Sequence, residues 1–234
     1  MEPSRMLVVT AVPAERDAVA GALAGPARTR VAAGRPEVLA AGVGPAAAAA
    51  RTAAALTAAA LAGEPYGLVI SAGVGGGFLP VAGIGSTVVA SRMVAADLGV
   101  ETPQRFVSLA ELGFGTSEHL PPAGLAEEAA GAAGAVLGPV LTVATVTGTA
   151  ERAAGLAARH PGAAAEAMEG FGVAEAAAGQ GVPVLEVRTV SNVVGPRDRS
   201  AWRIAEALAA LTVAFGKLLP VLESWPGPVR DERK

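Results

Sequence analysis

Short apolar runs recur along this chain, each bounded by glycine, proline or charge, and the stretches between them have helical spacing. Met6 to Val12 is such a run and ends at Pro13, which predicts a buried first strand and then a helix that starts on the proline. Glu15, Arg16 and Asp17 fall in that helix's first turn. Glu37 to Ala41 predicts a second strand. Gly42-Val43-Gly44-Pro45 turns it into an alanine-rich helix over about 46–62, stopped by Gly63-Glu64-Pro65. Leu68 to Ala72 reads as a buried strand and Gly73-Val74-Gly75-Gly76-Gly77 as a glycine loop after it. Ser86 to Val94 predicts a long strand. The pattern then weakens from Ala95 to Pro122, which reads as a long loop over a site.

Further on, the pattern predicts a helix over 123–133, a strand over 140–146, and a helix over 149–159 closed by His160-Pro161. A short piece at 165–168 leads into a helix over 169–178, and a strand over 182–194 ends in the turn Gly195-Pro196-Arg197-Asp198. The last helix begins near Ser200. Ile204, Leu208, Leu211, Phe215 and Leu218 step by four and three, so all five share one face, which predicts packing on a core. Residues 221–234 read as a loose tail. Strands alternating with helices imply one α/β domain over 1–220: a three-layer sandwich with a central mixed, mainly parallel sheet flanked by helices.

Composition narrows the chemistry. Aromatics are 3% of the 234 residues, so the core must be built from Val, Leu, Ile and Ala. A net charge of −3 with no basic face argues against nucleic acid or an anionic membrane as partner. The absence of cysteine excludes disulfides, thiol catalysis and Cys-bound metals, and two histidines, His119 and His160, are too few for a His-based metal site. Nothing in the chain offers a metal cluster, and Gly44-Pro45 is not a Walker or Rossmann phosphate motif, so no metal or organic cofactor is expected. No segment reads as membrane-spanning: the apolar stretch 46–62 is mostly alanine and contains Arg51. Met1-Glu2-Pro3-Ser4-Arg5 lacks a signal-peptide pattern, so a cytoplasmic location is expected.

In such folds ligands bind where strands end. Four strand ends carry suggestive residues: Glu15, the Gly73 loop, Glu169 and Asn192. Each also has a plain structural reading. Glu15 suits a helix N-terminus electrostatically. Met168-Glu169 fits a helix start beside the core, the glycines fit a tight turn, and Asn192 fits a turn cap.

Five segments, taken in order, resemble the nucleoside phosphorylase and nucleosidase superfamily. They are Ala11-Val12-Pro13-Ala14-Glu15, Ala41-Gly42-Val43-Gly44, Ser71 to Gly77, Ala167-Met168-Glu169-Gly170-Phe171-Gly172, and Ser191-Asn192 through Arg199. The resemblance spans about Leu7 to Leu219. Among the branches, the methylthioadenosine/S-adenosylhomocysteine nucleosidases look similar, and the futalosine hydrolases of the alternative menaquinone pathway look most similar.

The resemblance implies roles. Glu15 matches the glutamate that activates the attacking water, a base that hydrolysis of an N-glycosidic bond requires. Glu169 matches the carboxylate that clamps the ribose 2′- and 3′-hydroxyls, with Met168 packing on the sugar or base. Asn192 stands where adenine-cleaving relatives have an aspartate that protonates the purine N7. Its amide can donate to O6 of a 6-oxopurine and accept from N7–H, whereas adenine would set donor against donor. A hypoxanthine leaving group is implied. Related phosphorylases grip phosphate with an Arg before the glycine loop and a Ser or Thr inside it. Here Ser71 and Val74 stand there, which favours water over phosphate. Gly73 and Val74 are expected to bind substrate, Phe114 to cover it from the long loop, and Thr147-Gly148-Thr149-Ala150 to read the purine edge, with Ala150 in contact. Arg197-Asp198-Arg199 is either a solvated turn or a group reaching a substrate carboxylate. A homodimer or higher homo-oligomer is implied.

The first reading is hydrolysis of the purine nucleoside futalosine to hypoxanthine and dehypoxanthine futalosine. Nucleosidase action on methylthioadenosine or S-adenosylhomocysteine, phosphorolysis of inosine or guanosine, and nucleoside binding without catalysis remain as alternatives.

Overall fold

In the computed structural model, which describes residues 5–24 and 36–227, β1 (Met6–Thr10) is buried along its whole length because both its faces are covered. Met6 and Val8 enter one apolar cluster, and Leu7 and Val9 enter another, the alternation of a strand between two layers. Met1 to Ser4, most of the segment that lacks a signal-peptide pattern, and the tail residues 228–234 lie outside the described residues.

The chain continues through α1 (Pro13–Leu23), β2 (Glu37–Ala40), α2 (Pro45–Leu61), β3 (Leu68–Gly77), β4 (Thr87–Ala95), β5 (Gly99–Glu101), β6 (Phe106–Ser108) and β7 (Glu118–His119). It then forms α3 (Leu125–Ala133), β8 (Val136–Thr142), α4 (Ala150–Arg159), β9 (Ala165–Ala167), α5 (Gly170–Ala178), β10 (Val184–Val193) and α6 (Ile204–Ser224). α1, α3 and α6 cover one face of the main sheet, and α2 and α5 the other. These are the three layers expected.

The sheet runs β10-β4-β8-β9-β3-β1-β2, with β7 on β4. β10 also pairs with β3, so β3, β9, β8, β4 and β10 close on themselves and β1 and β2 extend the sheet. β1–β2, β1–β3, β3–β10, β4–β8 and β8–β9 are parallel; β4–β10, β3–β9 and β4–β7 are antiparallel. Parallel pairing brings the C-terminal ends of β1, β2, β3 and β10 to one edge, where the candidate residues stand.

Several expectations are corrected. The glycine segment 73–77 is not a loop. It is the second half of β3, hydrogen-bonded to β10 on one side and to β9 on the other, and none of its glycines has a positive φ. The missing side chains let neighbouring strands close in. The long segment after β4 folds as a hairpin of β5 and β6 and does not cover the site. β8 begins at Val136 and ends at Thr142, earlier than the apolar run at 140–146 implied.

The C-terminal helix starts at Ile204, after a single 3₁₀ turn at Arg199–Ala201, and passes through Pro220 to Ser224. Residues 221–224 of the anticipated loose tail are therefore helical, and Leu222 is buried in the core. Among the described residues α6 is long and apolar enough to span a membrane. Leu211, Phe215, Leu218, Leu219 and Leu222 instead bury in the cluster shared with α1, α3 and the sheet. Ile204, the first residue of the apolar stripe, is 38% exposed and lies on the wall of the candidate site.

Candidate active site

Glu15, at the third position of α1, is 3% exposed although it sits in a first helical turn. Its Oε2 accepts from the backbone N–H of Ala11 at 2.9 Å and of Val12 at 3.2 Å, and its Oε1 from that of Val74 at 2.9 Å. The carboxylate thus caps its own helix and is locked by β3. Gly73 is what permits this approach: a Cβ there would lie 2.5 Å from Glu15 Oε1 and 2.8 Å from Arg188 Nη1.

Glu169 caps α5 and is 6% exposed. Its Oε1 accepts from Gly44 N–H at 3.1 Å, and its Oε2 accepts from Met168 N–H at 3.3 Å and Arg188 Nη1 at 3.3 Å. Gly44 has φ 94°, a left-handed conformation that favours glycine and turns its N–H toward that carboxylate before Pro45 starts α2.

Arg188 joins these carboxylates underneath. Nε donates to Glu186 Oε1 at 2.9 Å and Nη2 donates to Ser71 Oγ at 3.0 Å. Neighbouring Glu186, Glu169 and Glu15 hold the guanidinium charged against the cost of burial. Burial pushes the Glu186 carboxyl up, and Arg188 opposes that shift. Pattern reading missed Arg188. The available signal was Glu186-Val187-Arg188 inside an apolar strand, two charges two residues apart and therefore on one face.

The cavity above these groups has a volume of about 290 Å³. Glu15, Val74, Met168, Glu169 and Asn192 line it, which brings together five of the eight residues singled out in the sequence. Asn192 Oδ1 accepts from Ser191 Oγ at 2.8 Å, and its Nδ2 donates to Val193 O at 3.1 Å. Each amide atom keeps hydrogen-bonding capacity for a ligand.

The other three residues stand elsewhere. Gly73 supports Glu15 and Arg188 from behind the wall. Phe114 is 76% exposed, held outward in a turn by its N–H on Leu109 O. Ala150 is exposed and off the wall, because Thr149 caps α4 there and turns the helix away. Of that segment it is Thr147 that faces the cavity, with Glu166 beside it.

Trp202, also unanticipated, stands on the wall next to Ile204. The Arg197 and Arg199 guanidinium carbons lie 5.6 Å and 5.9 Å from its ring centroid. Among the described residues neither arginine pairs with a carboxylate; Asp198 between them binds Ser200 instead. His119 touches Glu175 at 2.7 Å and packs on Phe171, away from the cavity.

The phosphorylase superfamily profile matches residues 11–220. The futalosine hydrolase of Streptomyces coelicolor is 65% identical over 231 residues, 94% of this chain and 97% of that one. This chain belongs to the futalosine hydrolase family of the phosphorylase superfamily. A second family member, from Acidothermus cellulolyticus, is 47% identical over 92% of this chain and 90% of its own. Solved structures show the same fold at low identity. The methylthioadenosine/S-adenosylhomocysteine nucleosidase of Neisseria meningitidis, in complex with methylthio-immucillin-A, superposes with a TM-score of 0.74 at 18% identity, over 92% of this chain and 98% of its own. A futalosine hydrolase mutant from Helicobacter pylori gives 0.73 at 19%, over 94% and 98%.

Proposed function

We propose that this protein hydrolyses the N-glycosidic bond of futalosine, releasing hypoxanthine and leaving the ribose on its aromatic acid. The observation that carries this reading is a single cavity faced by Glu15, Glu169 and Asn192, with Glu15 held by three backbone donors. The 65% identity to a protein named futalosine hydrolase supports the substrate.

Glu15 takes a proton from water as the water oxygen bonds to the anomeric carbon. The bond from that carbon to purine N9 breaks, and its electron pair moves into the base. N7 takes a proton from solvent water as the base departs, and Asn192 accepts from that N7–H while donating to O6. Glu169 accepts from the ribose hydroxyls, and its charge opposes the positive character that builds on the sugar. Water is favoured over phosphate because Arg188, the cation beneath the site, is already bonded to Glu186, Glu169 and Ser71. A phosphate entering beside Glu15 would meet carboxylates rather than a free guanidinium fork.

Arg197 and Arg199 beside Trp202 supply an aromatic face and positive charge at the cavity wall, which suits the aromatic acid. Leu98, Val100, Leu112, Phe114 and Leu120 are exposed apolar side chains around the β5–β6 segment, which supports a homo-oligomer built through that face. A cytoplasmic location and a place in menaquinone biosynthesis accompany this reading.

The test is to incubate the protein with futalosine, methylthioadenosine and inosine in parallel, with and without phosphate, and to separate the released bases. Hypoxanthine from futalosine at a phosphate-independent rate is expected. Adenine from methylthioadenosine, or a phosphate requirement with inosine, would overturn the reading.

A further inference from the structure

Glu166 is a buried carboxylate on the wall of the same cavity, and neither the catalytic step nor the sugar clamp uses it. β9 and β10 flank the second half of β3, and the register places Glu166 opposite Gly76 and Gly76 opposite Asn192. The three residues form one row across the sheet. Two strand spacings of about 4.8 Å separate the outer pair, so their Cα atoms stand roughly 10 Å apart, the span of a purine with a hydrogen bond at each end. Gly76 keeps the middle of the row clear. A Cβ there would lie 2.8 Å from Val194 Cγ2 and 3.2 Å from Asn192 Nδ2.

The carboxylate is already engaged on one side. Its Oε1 accepts from Thr147 N–H at 2.9 Å and its Oε2 from Thr147 Oγ1 at 2.5 Å. The main-chain donor that this wall offers is therefore taken up by Glu166, and an acceptor remains. An ionised carboxylate has about four lone-pair positions, of which Thr147 fills two. Burial raises the Glu166 carboxyl, and both Thr147 donors and Arg152 pull it back. A further donor from the ligand acts in the same direction as Thr147, toward the charged form.

We infer that Glu166 is a specificity-determining residue that accepts the N1–H of a 6-oxopurine, at the opposite end of the row from Asn192. A 6-oxopurine carries a hydrogen on N1 beside O6. A 6-aminopurine has a bare lone pair on N1, which would face the carboxylate lone pairs. The two ends of the row thus select one base for different reasons: Asn192 reads O6 and N7, and Glu166 reads N1. This assignment rests on the nucleosidase reading of the cavity and adds the second reader of the base.

Hypoxanthine and 1-methylhypoxanthine are the first probes, because methylation replaces the N1 hydrogen; the methyl group also takes up space, so the Glu166→Gln ratio below separates loss of the donor from loss of room. Calorimetric titration of the wild-type protein should show hypoxanthine binding on the order of 10- to 100-fold more tightly, the usual effect of a buried acceptor left without its donor. Equal binding would overturn the role of Glu166 alone. Binding of neither base would overturn the nucleosidase reading and this assignment with it.

Glu166→Gln supplies the second test, since its amide keeps an acceptor for Thr147 and adds a donor. The ratio of hypoxanthine to adenine affinity should fall on the order of 10-fold or more in this variant. A Glu166 that merely braces Thr147 would weaken both bases by the same factor, and that result would overturn the proposal.

Discussion

Arg188 Nη1 stands 3.3 Å from Glu169 Oε2, with the two side chains 1% and 8% exposed. The pair ties β10, which carries Asn192, to the start of α5, which carries Glu169. Glu186 on the other side of the guanidinium is fully enclosed, and its Oε2 has no partner among the described residues. Both carboxylates therefore depend on one cation.

Arg188→Met should be strongly destabilising, because it leaves buried carboxylates uncompensated. Breaking a buried pair in this way costs about 3–5 kcal/mol. In a chain of this size that corresponds to a fall in Tm on the order of 10 °C. Adding Glu186→Gln should recover part of the loss in a thermal melt. An Arg188→Met protein that melts with the wild type would show that the cluster carries no such coupling.

Glu15→Gln keeps the shape of the side chain and an acceptor for backbone N–H, but the amide cannot take a proton from water. Turnover of futalosine should fall by at least about 10²-fold, the lower end of what general-base catalysis supplies. Hypoxanthine affinity should change little. Residual activity near wild type would remove Glu15 as the base.

Asn192→Asp exchanges an amide for a group that can carry and donate a proton to N7. Base preference should move toward 6-aminopurine nucleosides, read as the ratio of kcat/KM for methylthioadenosine to that for futalosine. An unchanged ratio would mean that Asn192 does not read the purine edge.

His160 caps the end of α4, and its Nε2 has no hydrogen-bond partner among the described residues. Burial first, then Arg159 and Arg92, lower its pKa below the ordinary 6.5, with Glu118 opposing. The unfolded chain therefore takes up this proton before the folded one does. The stability that neutral His160 contributes is complete above about pH 6.5 and is lost as pH falls from there through the folded-state value. Denaturant unfolding of His160→Gln should show a flatter acid limb than the wild type. Parallel limbs would defeat the assignment.

Much of this fold follows from local chemistry. Pro13 and Pro45 start their helices, the apolar runs at 6–10 and 184–190 form strands buried on both faces, and Glu15, Glu169 and Asn192 lie at element ends. Those features depend on neighbours a few residues away, so patterning and capping are enough to place them.

What patterning could not place depended on partners far along the chain. Gly73 to Gly77 read as a loop, since glycine is a poor strand former, but pairing with β10 and β9 keeps them extended. Residues from 221 on read as a loose tail, yet burial of Leu219 and Leu222 carries α6 through Pro220 to Ser224. Phe114 was assigned to the site because an aromatic in a long segment makes a plausible cover, and the β5–β6 hairpin holds it outside.

The sequence by itself determined the family resemblance that implies a base, a sugar clamp and a purine reader at Glu15, Glu169 and Asn192, because the carboxylates and the amide those roles need are properties of the side chains themselves. Only the tertiary structure decided that Arg188 neutralises two of the buried carboxylates and that Glu166 faces Asn192 across Gly76. Such relationships arise when strands distant in sequence come into register, and burial then forces every charge between them to find a partner.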